Sequence, residues 1–285
     1  MKTAHLLAAA TAGLFALSAQ AAGSDHHHAT DADIAKQRAA LQANTDGKGY
    51  GPQAPRDLAA KAGSNQRVFT TAPAHTQMNL CNIHFHKNAE HKGGEFDKYA
   101  GPGDGHGYQS GYVYTGVLTA AEAKPLAAEV CKSEHGGLNA GDTVEVHYVF
   151  STAQVQPGET LGACLSDADK NPQLRVEAQV FVLVNDTQAG DFTRLTAVGT
   201  AGGYHQALNI PADTGTPVQY AGSTTGPTYN EKGSPFQVSW SVRPKVAKVS
   251  AESVGRWCAG NVFKEDHAHG VRNLVKNEKL LSPMR

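Results

Sequence analysis

The sequence is short of the features that mark most specialised proteins. In 285 residues it has four cysteines, three methionines and two tryptophans, and aromatic residues make up only 7%. It has almost no charge excess, since 25 Lys and Arg against 26 Asp and Glu leave −1. Without a basic surplus, no nucleic-acid partner is indicated. Past the first two dozen residues no apolar run is long enough to cross a bilayer, so no membrane anchor is expected. Cys81, Cys131, Cys164 and Cys258 form no Cys-x-x-Cys pair, which argues against a thiolate metal site. No internal repeat is visible. What remains is ordinary globular composition, 40% apolar and 18% charged. The one surplus is fourteen histidines, which points to metal or proton chemistry.

The N-terminus reads as a secretory signal peptide over residues 1–21. Lys2 is the positive start, Leu6 to Leu17 the apolar stretch, and Ala19-Gln20-Ala21 the small-residue cleavage site. No cysteine follows the cleavage site, so a lipid anchor is not expected. The mature chain is therefore expected to be exported, periplasmic or secreted. In that setting the even number of cysteines favours disulfides, with the pairing left open. Residues 22–66 read as a mobile or weakly helical segment, with Asp31 or Asp33 as a helix cap. Its His26-His27-His28 tract is read as an adventitious metal binder, because a mobile tail cannot fix coordination geometry.

From residue 67 to 285 the texture is that of one β-rich domain. "MNLCNIHFH", "SGYVYTGVL", "DTVEVHYVFS", "LRVEAQVFVLV" and "PFQVSWSV" read as strands separated by Gly, Asn, Asp and Pro clusters. "SAESVGRWC" reads as one short helix capped by Ser250. Side chains alternate along a strand. Asn82, His84 and His86 therefore share one face of the first strand, and Cys81, Ile83 and Phe85 the other. Two imidazoles on one strand face can chelate one ion, and a catalytic zinc needs a third protein ligand plus an open position. The strand "VEVHYVF" offers His147, with Glu145 on the same face to orient an imidazole. Asn82 can do the same for His84 through its amide oxygen. The rival reading is a cupin-like site for Fe or Mn with Glu90 as ligand. However, Met78 stands where that pattern has glycine, and the Pro-x-Gly turn before the last histidine is missing. A third reading is a non-catalytic exported metal-binding protein.

With these residues in view, the chain resembles the α-type carbonic anhydrases, and most closely their delta-class relatives. The pieces occur in order over roughly residues 80–260. "NIHFH" is similar to the family's Gln-Phe-His-Phe-His strand, with Asn82 in place of Gln. "SEHGGLNAGDTVEVH" resembles the Ser-Glu-His segment leading to the third zinc histidine. "YAGSTTGP" resembles the Thr-rich turn, and "VSW" followed by "VSAESV" keeps the family's register. The resemblance implies a mainly β fold: a large twisted, mostly antiparallel central sheet with short peripheral helices. It implies zinc-dependent reversible hydration of CO2 to bicarbonate, with Zn2+ held by His84, His86 and His147. It also implies Asn82 and Glu145 as hydrogen-bond partners of the ligands. Thr225 and Glu134 become the relay that aims the attacking hydroxide, with Val149 and Trp240 lining the apolar pocket.

Departures from the family pattern are also plain. The stretch between His86 and Glu134 is long and holds "GPGDGHGYQSGYVYTGVLTAAEAKPLAAEVC". Thr224 stands where the family has an apolar pocket residue, and "TYNEKGS" follows the Thr turn. No proton shuttle is assigned among His75, His91, His106 and His205. His91 has a second reading, as a ligand in an 84–86–91 set. His135 is expected to be buried and hydrogen-bonded. His267 and His269 are expected to be structural or a weak second metal site.

Overall fold

The computed structural model describes residues 28–284, so the expected signal peptide over 1–21 and His26 and His27 lie outside the described residues. The strands are β1 (Asn79–Lys87), β2 (Lys98–Tyr99), β3 (Tyr112–Val113), β4 (Val130–Ser133), β5 (Gly136–Leu138) and β6 (Thr143–Ser151). They continue with β7 (Leu174–Val184), β8 (Val198–Ala201), β9 (Tyr204–Ala207), β10 (Val218–Ser223), β11 (Gln237–Val242) and β12 (Ala247–Ser250). The α-helices are α1 (Asp31–Thr45), α2 (Phe192–Leu195) and α3 (Ala251–Cys258). The fold is mainly β. One six-stranded sheet runs β1-β6-β7-β11-β10, with β12 also paired to β7, and three two-stranded hairpins surround it.

The sheet is mixed. The β1/β6, β6/β7 and β10/β11 ladders are antiparallel, while β7/β11 and β7/β12 are parallel. β7 sits in the middle and all eleven of its residues are buried. Its near-continuous apolar run is the signature of a strand covered on both faces. Alternation sorts the two faces. Val144, Val146, Tyr148 and Phe150 of β6 join one apolar core with Phe181 and Leu183 of β7. Glu145, His147 and Val149 face the other way, and Val149 joins a second core with Val176, Val180 and Trp240.

The first strand departs from simple alternation. The β1/β6 register shifts between Leu80 and Asn82, so Cys81 is the extra residue of a bulge. The bulge lets Met78 and Leu80 before it, and Ile83 and Phe85 after it, enter the same core. Cys81 belongs to the opposite core and does not share a face with Ile83 and Phe85, as plain alternation had it. Asn82, His84 and His86 keep their common face.

The disulfides are Cys81–Cys164 and Cys131–Cys258, and no described cysteine is free. The first ties the bulge to the segment ahead of β7, and the second ties the β4–β5 hairpin to α3. In the N-terminal segment, α1 is capped by Thr30 rather than by Asp31 or Asp33. The Thr30 hydroxyl accepts from Asp33 N–H at 3.3 Å, and Asp33 Oδ2 accepts from Thr30 N–H at 3.1 Å, a closed capping box. Leu41 of α1 packs on Val275, Leu280 and Leu281. Residues 53, 64 and 65 donate backbone hydrogen bonds to Leu280, Glu278 and Leu281. Ser250 stands ahead of α3 as expected, although its side chain makes no capping bond.

Candidate metal centre

β1 and β6 place His84 and His147 as direct cross-strand partners, with His86 opposite Glu145. The three imidazoles converge: one donor atom from each of His84, His86 and His147 lies within 4.8 Å of the others. His86 and His147 are buried and His84 is half-buried.

The hydrogen bonds fix which nitrogen of each ring carries the proton. Asn82 donates through Nδ2 to the Gly158 carbonyl at 3.0 Å, so its Oδ1 is the atom facing His84 Nδ1 at 2.7 Å. His84 Nδ1 therefore donates. His86 Nδ1 lies 2.9 Å from the Gly270 carbonyl, which can only accept. His147 Nε2 lies 2.9 Å from Glu145 Oε1. Burial alone would raise the Glu145 pKa. The charge of His91 and hydrogen bonds from His147 and His91 outweigh it and hold the carboxyl well below its usual range. Glu145 is therefore ionised and accepts.

The remaining nitrogens, His84 Nε2, His86 Nε2 and His147 Nδ1, each present a lone pair. His84 Nε2 and His147 Nδ1 face one another at 3.3 Å. His86 Nε2 is buried without a hydrogen-bond partner. Burial, followed by the neighbouring imidazoles, pushes the His84 pKa well below its usual value. Burial takes His86 to about 4. With His84 and His86 both driven to the neutral form, this is a nest of nitrogen donors suited to a cation.

Behind it stands a second network. Glu145 Oε1 accepts from His91 Nδ1 at 2.6 Å, and Oε2 accepts from the backbone N–H groups of Glu90 and His91 at 2.8 and 3.1 Å. His91 Nε2 meets the Tyr220 hydroxyl at 2.7 Å. His91, Glu145 and His147 also come together closely enough to be a donor set. However, every acceptor position of Glu145 in it is already filled from within the chain. Glu90 is buried beside the nest. Its Oε1 accepts from Arg272 N–H at 2.6 Å, and its Oε2 has no partner among the described residues. That Oε2 lies 3.8 Å from His86 Nε2 and 3.9 Å from His147 Nε2.

A family model described as delta carbonic anhydrase matches residues 75–253, well over half the chain and across all three histidines. The chain belongs to the delta carbonic anhydrase family. It is an enzyme of the carbonic anhydrase type, acting in CO2 hydration, and the cupin and non-catalytic readings fall away. Among solved structures, the chain is similar to the alpha-carbonic anhydrase of Photobacterium profundum at 18% identity, over 80% of this chain and 88% of that one, with a TM-score of 0.26. It is similar to a halotolerant carbonic anhydrase of Dunaliella salina at 13% identity, over 86% and 93%, with a TM-score of 0.34. Curated proteins give no match.

In this carbonic anhydrase the structure brings together His84, His86, His147, Asn82, Glu145 and Trp240. The Trp240 ring lies 5.0 Å from His147 and 4.8 Å from His91. Val149 is buried and is the cross-strand partner of Asn82. Thr224 is buried, and its hydroxyl pairs with Ser234 Oγ at 2.5 Å. Thr225 follows on the turn after β10. Glu134 does not join the cluster. It sits in the turn of the β4–β5 hairpin with its side chain 87% exposed, beside His135 at 3.5 Å. Besides Glu145, the carboxylate beside the histidines is Glu90, whose Oε2 is the one left without a partner among the described residues. His135 is half-exposed and stacks on Tyr108 at 3.4 Å, rather than being buried.

His91 is buried in the Glu145–Tyr220 network and is not a surface group. His75 lies 3.5 Å from Glu177, and His106 is exposed. His269 lies at the centre, its ring 5.8 Å from His84 and 6.0 Å from His86, with Nε2 on Glu265 at 2.6 Å. Sequence reasoning missed Gly270, Arg272 and Tyr220. It saw Glu90 only as a ligand of a different family. The signal available was a second Glu-His pair, Glu90-His91, directly after the ligand strand.

Proposed function

We propose that this protein is a zinc carbonic anhydrase whose metal is held by His84 Nε2, His86 Nε2 and His147 Nδ1. The observation that carries this is the convergence of three imidazole lone pairs, two of them buried, whose opposite nitrogens are each tied to an acceptor. Three imidazoles with room for one more ligand is the donor set of a catalytic zinc. When bound, zinc makes hydroxide available near neutral pH by lowering the pKa of water to about 7.

The chain's own residues do the rest. Asn82, Gly270 and Glu145 fix the three rings in the tautomers that leave the right nitrogens free. Trp240 and Val149 supply an apolar wall, which suits CO2 because it is small and uncharged and needs no charged clamp. Glu90 takes the carboxylate role that the sequence resemblance gave to Glu134. Its partnerless Oε2 is the acceptor left for a hydroxyl donor, and Thr225 is the residue we assign to it. Such a relay fixes the direction in which the nucleophile's lone pair points. Two disulfides suit an oxidising compartment, in keeping with export.

The test is stopped-flow CO2 hydration by the full chain, before and after chelation, with the metal content measured in parallel. Activity should vanish with the metal and return with zinc. His84→Ala, His86→Ala and His147→Ala should each lose metal. A folded, zinc-loaded protein with no hydration activity would overturn the reading.

A further inference from the structure

The run from His269 to Arg272 meets the centre residue by residue. His269 N–H donates to the Phe85 carbonyl at 2.9 Å, and Lys87 N–H donates to the His269 carbonyl at 3.1 Å. The Gly270 carbonyl holds His86 Nδ1. Arg272 N–H donates to Glu90 Oε1. Between them, Val271 N–H donates to the Gly107 carbonyl at 2.9 Å. All four residues lie beyond the stretch that the family model matches.

Gly107 belongs to the glycine-rich loop 101–111 in the long insertion after His86. Its φ is +102°, and a Cβ there would lie 2.5 Å from the Val271 carbonyl oxygen and 2.9 Å from Pro227 Cβ. A Cβ on Gly270 would lie 3.0 Å from the Gly107 carbonyl carbon and 3.2 Å from Tyr108 N. The two backbones approach with no side chain between them, which glycine at both places permits. The loop is also braced. Asp104 Oδ1 accepts from His106 N–H at 2.8 Å and Tyr108 N–H at 3.1 Å, and Gln109 Nε2 donates to the His135 carbonyl at 2.9 Å.

The three imidazoles are not held alike. His84 is oriented by Asn82 and His147 by Glu145, each two residues away on its own strand. His86 alone relies on an acceptor from outside the sheet. We propose that the Gly103–Tyr108 turn of loop 101–111 is a positioning element for His86, acting through the Gly107–Gly270 contact that sets the Gly270 carbonyl. This rests on the reading of His86 as a metal ligand. The bond made by one ring nitrogen sets the direction of the other, so a displaced carbonyl turns the imidazole away from the ion.

The test compares the full chain with Gly107→Ala, Gly270→Ala, Gly101→Ala and His86→Ala. Three readouts serve: zinc affinity by competition with a chromophoric chelator, the visible spectrum of the cobalt-substituted protein, and the thermal midpoint of the metal-free form. Gly107→Ala and Gly270→Ala should weaken zinc binding by about 10- to 100-fold and alter the cobalt spectrum. Gly101 has φ +116° but no atom within 4 Å of its added Cβ, so Gly101→Ala strains the same loop without touching the contact. It should leave affinity and spectrum unchanged.

If Gly107→Ala does not fold, Gly270→Ala carries the test, since that position needs no left-handed backbone. Wild-type affinity and spectrum in either folded variant would overturn the proposal, as would an equal loss in Gly101→Ala. His86→Ala separates the two readings. If it binds zinc as tightly as wild type, the metal assignment fails and the loop's role with it. If it loses zinc while the glycine variants keep it, only the loop proposal fails.

Discussion

At the scale of single residues, the instructive pair is Glu90 and Glu134. Each precedes a histidine, and each could supply a carboxylate to the site. What separates them is desolvation. Glu134 sits in water at a hairpin turn, where its charge is screened and its side chain is free to move. Glu90 is 1% exposed, one oxygen is pinned by Arg272 N–H, and the other has no partner beside two imidazoles. A buried acceptor without a donor is costly unless something arrives to satisfy it. Glu90→Gln should therefore lower hydration turnover on the order of 100-fold at full zinc occupancy. Glu134→Gln should leave turnover at the wild-type value. Stopped-flow rates normalised to bound zinc decide it, and the reverse ranking would restore Glu134 to the relay.

At the scale of elements, the strands that carry the three histidines were readable because burial and alternation agree there. β7 falls on the expected 174–184, and β6 differs from its expected span by one residue. The expected strand over 110–118 shrinks to Tyr112–Val113, because it lies in a glycine-rich insertion that answers to tertiary contacts. The bulge at Cys81 could not be read from period alone, since one extra residue flips the parity of everything before it. The His86 acceptor lies 184 residues away in sequence, so no local pattern announces it. The choice between the two Glu-His pairs is illegible for the same reason: distance along the chain to His147 points to Glu134, while the fold brings Glu90 N–H and His91 N–H onto Glu145.

The bulge also has a consequence for stability. Cys81–Cys164 closes an 83-residue separation and pins the irregular part of β1. Removing it as Cys81→Ser with Cys164→Ser should cost about 2–5 kcal/mol. Denaturant titration of the oxidised protein and the double variant measures it, and equal midpoints would show that the sheet alone holds the bulge.

At the scale of the whole molecule, acid sensitivity should arise away from the metal centre as well as at it. Glu177 on β7 is 4% exposed, on the face opposite Val176 and Ala178. It pairs with Arg243 at 3.1 Å, Arg175 at 3.8 Å and His75 at 3.5 Å. Burial alone would raise its pKa, but hydrogen bonds from His75 and Ser241 and the charges of His75 and Arg243 hold it below the usual carboxylate value. A carboxylate depressed in the folded state binds its proton more readily when unfolded. Its contribution is therefore complete above the unfolded value of about 4.3 and is lost as pH falls through the folded value. Glu177→Gln removes that contribution at every pH and leaves two buried guanidinium groups short of a counter-charge, a cost of about 3–5 kcal/mol at neutral pH. Urea unfolding of both proteins from pH 7 down to pH 3 should show the wild-type advantage holding to about pH 5 and then narrowing. A gap that stays constant through that range would mean that Glu177 supports the sheet by packing rather than by charge.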